Sequence, residues 1–281
     1  MTSASPQRFD NPVAITAHGK YVWVADDSGG AQHHGALYRI DIANGQTQPI
    51  YSSLFDSPLW MYTNGVDVWI ANQFGNPAHS LLQLNIATNQ LSRVASKGVN
   101  GPVDMTSQGK YLWLLNANGG SSVTRMNIDT GAFTTNDAVV TAGENSITSD
   151  KSYVWVAGAR LLRISEATNK VKVIEPNHFT NTSEIVSYGN DLWFRSGNRH
   201  LIEMDKTSGK IRSFYNPAFE FSLNLTTNGH YVWMADSENR SVVQFNAATG
   251  KVIEINSPDF LSRTVQLTPF SITSEGTNVW V

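Results

Sequence analysis

The chain has 281 residues, 41% of them apolar and only 15% charged, against about 25% charged in an average globular domain. A net charge of −3 with no basic cluster gives phosphate backbones nothing to grip, which argues against nucleic-acid binding. The absence of cysteine excludes disulfides, thiolate metal sites and a cysteine nucleophile, and no run approaches the roughly 18 apolar residues of a spanning helix.

The first eleven residues carry neither the basic nor the apolar region of a signal peptide. They are expected to form an N-terminal segment, 1–11, with Pro6–Phe9 a candidate closing strand. From Pro12 a single pattern takes over and runs to the end without a linker, predicting one domain over 12–281.

The first repeat opens with PVAIT (12–16), continues with YVWVA (21–25) and LYRID (37–41), and turns at ANGQ (43–46). In YVWVA the Trp and its aliphatic neighbours point to opposite faces, so both faces are buried. In LYRID apolar and polar residues alternate with period two, as in a strand nearer a rim. The Gly of the turn supplies the positive φ that a bulged hairpin needs. Five more repeats follow from PLWMY (58–62), PVDMT (102–106), ENSIT (144–148), TSEIV (182–186) and SLNLT (222–226). Their Trp phrases are DVWIA, YLWLL, YVWVA, DLWFR and YVWMA, and their turns ATNQ, DTGA, ATNK, TSGK and ATGK. A seventh, PFSIT (269–273), stops after NVWV (278–281).

Trp23, Trp69, Trp113, Trp155, Trp193, Trp233 and Trp280 are thus 46, 44, 42, 38, 40 and 47 residues apart. An all-strand repeat of roughly 40–45 residues is the signature of a β-propeller blade. The expected fold is all-β, with six complete four-stranded antiparallel blades plus the first two strands of a seventh. Blades start near 12, 58, 102, 144, 182, 222 and 269. Three endings fit that pattern: a fragment cut within its last blade, a closing strand supplied by residues 1–10, or a six-blade ring with the last strands outside it.

In such a blade the turns between first and second strands gather on one face. Here they are short (AHGK, TNG, SQGK, SDKS, YGN, TNGH) and are expected to be plain turns. Longer, variable loops gather on the other face, where function concentrates in repeat scaffolds. The candidate ligand contacts are therefore Asp26, His33, His34 and His79 in those loops. Trp60, Tyr62 and Asn224 join them on inner strands. The inner-strand position before the core aliphatic reads Ala14, Trp60, Asp104, Ser146, Glu184, Asn224 and Ser271. Asp104 and Glu184, with Glu144 between them, are the candidate ligands for a hard cation, Ca²⁺ or Mg²⁺, since oxygen donors converging from several strands suit such ions. A water-filled channel, in which carboxylates cost little, is the simpler account of the same residues.

The repeat, P-x-x-I-T-x-x-G-x-V-W-V-A followed by L-x-R-I-D-x-x-T-G-K-V, resembles that of the streptogramin B lyase-like, NHL and YVTN-type propellers over almost the whole chain. That resemblance implies a propeller fold and a choice of roles: a metal-dependent ring-opening lyase, gluconolactonase-type hydrolases, or surface and periplasmic binding and sensor domains. It implies a catalytic His and a metal-ligand Glu near the inner strands. Glu144 and Glu184 fit the Glu; the inner-strand phrases hold no His, which leaves His178, in the loop before the fifth blade. The expected function is a non-catalytic module, outside the cytoplasm, that binds a small molecule, glycan or protein. The alternative is a metal-dependent lyase or lactonase using His178, Asp104, Glu144 and Glu184.

Overall fold

The computed structural model describes residues 9–28, 35–72, 80–94, 99–117, 122–136, 146–174, 182–197, 199–220, 222–236, 238–256 and 271–281. By contact the chain forms two compact units, Met1–Gly101 and Pro102–Val281. All sheets are antiparallel, and a 3₁₀ turn over Pro217–Phe219 is the sole helical element among the described residues.

The first unit holds two four-stranded sheets. Blade 1 is β1 (Pro12–His18), β2 (Tyr21–Asp26), β3 (Ala36–Asp41) and β4 (Thr47–Ile50). Blade 2 is β5 (Pro58–Thr63), β6 (Asp67–Asn72), β7 (Leu81–Asn85) and β8 (Leu91–Val94). Trp23 and Leu37 of blade 1 pack onto Val68, Ile70, Leu82 and Leu84 of blade 2, so the apolar face of one sheet is covered by the next.

The second unit repeats this. Blade 3 is β9 (Pro102–Gln108), β10 (Tyr111–Asn116), β11 (Ser122–Asn127) and β12 (Phe133–Asn136). Blade 4 is β13 (Ser146–Ser149), β14 (Tyr153–Ala157), β15 (Leu161–Ser165) and β16 (Val171–Ile174). Blade 5 is β17 (Thr182–Tyr188), β18 (Asp191–Ser196), β19 (His200–Asp205) and β20 (Ile211–Tyr215). Blade 6 is β21 (Ser222–Thr227), β22 (Tyr231–Asp236), β23 (Ser241–Asn246) and β24 (Val252–Asn256), and β25 (Thr273–Glu275) with β26 (Asn278–Trp280) forms a hairpin after it. Trp113 packs against blade 4, Trp155 against blade 5, Trp193 against blade 6, and Trp233 against Ile272 beside the hairpin. Six of the repeated tryptophans are buried, and Trp280 is partly so.

Two polar devices recur. Between blades 3 and 4, Ser149 Oγ donates to Ser107 O at 2.7 Å and lies 2.8 Å from Thr106 Oγ1. Since the Ser149 proton is spent on the carbonyl, Thr106 is the donor to Ser149. Thr226, Thr227 and Ser274 build the same clasp between blade 6 and the hairpin, at 2.7 and 3.5 Å. The hairpin thus meets blade 6 as one blade meets another, which makes it the first half of a seventh.

The second device is the turn after the third strand. Asn127 Oδ1, for example, accepts from Asp129 N and Thr130 N at 3.0 and 3.1 Å. Positive φ falls four residues on, at Asn89 and Asn169 in blades 2 and 4 and at a glycine elsewhere, as the turn phrases predict.

Candidate functional site

The inner strands of blades 3, 4 and 5 converge on one polar cluster. Asp104 sits on β9 just after a register shift, opposite Leu115. Its Oδ1 accepts from its neighbour Met105 N at 2.8 Å, and its Oδ2 accepts from Ser146 Oγ at 2.9 Å and Ile147 N at 2.8 Å, both on β13. Ser146 Oγ in turn accepts from Ile185 N of β17 at 3.2 Å. One serine hydroxyl therefore joins three consecutive blades.

Glu184 is the residue of β17 that its pairing with β18 skips: Ser183 faces Arg195 and Ile185 faces Phe194. In blades 1, 2, 3 and 6 the skipped residue is instead the one before, Val13, Leu59, Val103 or Leu223. The shifted bulge puts Glu184 at φ +46°, in the left-handed region that costs a non-glycine residue about 1–3 kcal/mol. No described residue donates a hydrogen bond to its carboxylate; its partners are the charges of Asp104 and Arg195. Arg195 Nη2 donates to Glu220 O at 2.9 Å.

Burial dominates the electrostatics. It pushes Asp104 up to about 6 against the pull of the three hydrogen bonds. It pushes Glu184 up to about 8, with the Asp104 charge adding to the rise and Arg195 opposing it. Burial also lowers the Arg195 guanidinium, against the pull of Glu184 and Asp236. Both carboxylates nonetheless keep some solvent contact.

As a metal site the described residues offer two carboxylates and a serine hydroxyl facing an arginine, where Ca²⁺ takes roughly 6–8 oxygens. No cluster of three or more His, Cys, Asp or Glu able to hold a metal occurs among them. Glu144 and His178 lie outside the described residues, as do His33, His34 and His79.

The other expected contacts are placed differently. Asp26 is fully buried, and its carboxylate accepts from Asp10 N, Asn11 N and Ser28 N at 2.7–3.1 Å. It fixes the chain entering β1 and leaving β2. Trp60 on β5 is 38% exposed and Tyr62 partly so. Asn224 on β21, opposite Ala235, is partly exposed. Asp104 and Glu184 are the pair the structure brings together.

Sequence reasoning overlooked Arg195 and a cavity among the short turns. Arg195 replaces the Ala found at this point of four other Trp strands, in the phrase DLWFR, and a buried guanidinium asks for an acidic partner. The cavity, of about 600 Å³, lies between the β13–β14 and β17–β18 turns.

No protein-family model matches the sequence, and no curated protein matches it. Solved structures do. Streptogramin B lyase aligns over 96% of this chain and 88% of its own, at 17% identity and a TM-score of 0.74. An extracellular domain described as part of a hybrid two-component system of B. thetaiotaomicron aligns over 96% of this chain and 36% of its own, at 14% identity and a TM-score of 0.70. A chain of the nidogen/laminin complex aligns over 85% and 94%, at 8% identity and a TM-score of 0.64. The chain is a β-propeller. Its fold is the one seen in streptogramin B lyase, with a partial seventh blade.

Proposed function

We propose that this propeller is a recognition module working outside the cytoplasm, which holds an organic ligand at the Asp104–Glu184 recess without transforming it. The group recognised is a cationic or hydrogen-bond-donating one, such as an amine. The observation that carries this reading is Glu184 itself: a largely buried carboxyl, held at left-handed φ, that receives no hydrogen bond from any described residue. Backbone strain persists where surrounding structure enforces it, and it clusters at sites of function. The extracellular domain among the structural neighbours supports the location.

The nearness of two carboxylates with raised pKa values favours one alternative, a cation-dependent lyase or lactone hydrolase. In that reading Asp104, Glu144 and Glu184 hold Ca²⁺ or Mg²⁺ and His178 moves the proton. An ion would remove the repulsion between Asp104 and Glu184. Melting temperature separates the two readings. The recognition reading expects no change between EDTA and millimolar Ca²⁺ or Mg²⁺. It expects a saturable rise with a member of a panel of alkyl amines, lost in Glu184→Gln. An ion at 100 times its Kd would stabilise by about 2.7 kcal/mol; a saturable rise of that size, abolished by Glu184→Gln, would replace recognition with the cation-dependent reading.

A further inference from the structure

At the other ends of the same strands, two blade joints are packed by a ring laid on a glycine. The residue three before the Trp strand reaches the turn of the next blade: His18 covers Gly65, and Tyr188 covers Gly229. A Cβ on either glycine would fall inside the ring above it. The same position holds Asn64, Gln108 and Asn228 in blades 2, 3 and 6, and between blades 4 and 5 there is no ring either. The residue in that place is Asp150, and nothing lies within 4 Å of a Cβ built on Gly189. The turn itself departs from the repeat, with Lys151 where the other six carry glycine. The cavity of about 600 Å³ occupies this gap.

Its floor is charged. The residue following the third strand is Ile42, Ile86 and Ile128 in blades 1 to 3 but Lys206 in blade 5. The Lys206 side chain is 8% exposed, 3.5 Å from Asp150 Oδ2, and donates to Ser187 Oγ at 2.8 Å. An ammonium has three protons, which leaves one for an acceptor in the cavity. Asp150 is already engaged. Its Oδ1 accepts from Ser152 N and Tyr153 N, and its Oδ2 accepts from the Trp155 indole N–H at 2.8 Å. Asp150, Lys151 and Lys206, the charged residues of the lining, sum to +1.

We propose that this cavity is a second ligand site, and that it takes a small aromatic carboxylate whose ring covers Gly189 and whose carboxylate accepts from Lys206. The ring does there what His18 and Tyr188 do at two other joints. The carboxylate uses the remaining Lys206 proton, and the net positive lining selects an anion over a neutral ring.

Calorimetric titration of the full chain with 4-hydroxybenzoate tests this. The expected result is saturable one-to-one binding, weakened at least tenfold in Lys206→Ile and little changed in Glu184→Gln. Ile stands at the same place in three blades, so this variant keeps a residue the fold accepts. Ser152→Trp, at the exposed rim, should block entry and weaken binding to the same degree. Absence of saturable binding overturns the site, as does wild-type affinity in both Lys206→Ile and Ser152→Trp. Loss of binding in Glu184→Gln also overturns it, by moving the ligand to the other recess. Equal affinity for benzyl alcohol would overturn the role of Lys206.

Discussion

Glu184 carries two costs at once, a left-handed backbone and a carboxyl pushed up to about 8 by burial. The second has a definite sign. Between the unfolded value near 4.5 and the folded value near 8 the native state holds a proton the unfolded chain has released, so stability falls as pH rises through that window. Glu184→Gln should therefore be more stable than wild type at pH 8, by on the order of 1–3 kcal/mol, with the gain shrinking towards pH 5. Urea unfolding at the two pH values measures it; an equal effect at both would mean that Glu184 titrates normally. Ser146→Ala makes the opposite case. It strips Asp104 of one donor and Ile185 N of its acceptor, an expected loss of about 1–3 kcal/mol for buried partners left unsatisfied. The identity of Glu184 as an inner-strand acid is plain in TSEIV. Its conformation is not, because the shifted bulge depends on pairing with Arg195 and Phe194.

At the level of elements, the third strands show what alternation hides. Arg39, Arg125 and Arg163 read as solvent-facing positions. Each lies across from the Trp of its blade and stacks its guanidinium 4.2–4.8 Å from the centre of Tyr21, Tyr111 or Tyr153. The stacks are partly wet, so Arg125→Ala should cost only about 0.5–1 kcal/mol. Trp155→Ala, which empties the joint between blades 4 and 5, should cost about 3–5 kcal/mol. Similar losses from the two would show that the tryptophan is not the core of that joint. Turns divide in the same way. Gly250 has φ +71° and open space beside it, and Asn fills the same place in blades 2 and 4. Gly250→Asn should thus stay within about 0.5 kcal/mol of wild type. Gly229→Asn drives a side chain into Tyr188 and should cost more than that limit; thermal melts compare the pair directly. Turn chemistry of this kind is local and can be read from TSGK or ATGK, whereas the gap over Gly189 arises from what the neighbouring blade fails to supply.

For the whole chain, the titrating groups pull in two directions. Asp104 and Glu184 take stability away as pH rises from about 4 to 8. Asp150 opposes them: burial would raise its carboxyl, but hydrogen bonds from Ser152, Trp155 and Tyr153 and the Lys206 charge hold it below the ordinary range. That contribution is present above the unfolded value and is lost as pH falls. The melting temperature should accordingly peak in mildly acidic buffer, at about pH 4–6, and decline on either side. A profile flat from pH 5 to 8 would contradict the burial of the Asp104–Glu184 pair. The propeller fold itself was legible because seven tryptophan phrases impose one period. Function was less so, since the phrases that repeat are the ones that pack, and the proposed sites lie where a single blade departs from them.

The hydroxyl clasp that joins blades 3 and 4 reappears between blade 6 and the terminal hairpin. Its parts come only from adjoining sheets, so each clasp acts between two neighbours, unlike the Ser146 hydroxyl that ties blades 3, 4 and 5 together. A chain built this way opens sequentially, as a stack of coupled units does. The hairpin Thr273–Trp280 has two strands where each blade has four, which makes it the point where amide exchange should start, with protection deepening strand by strand into blade 6.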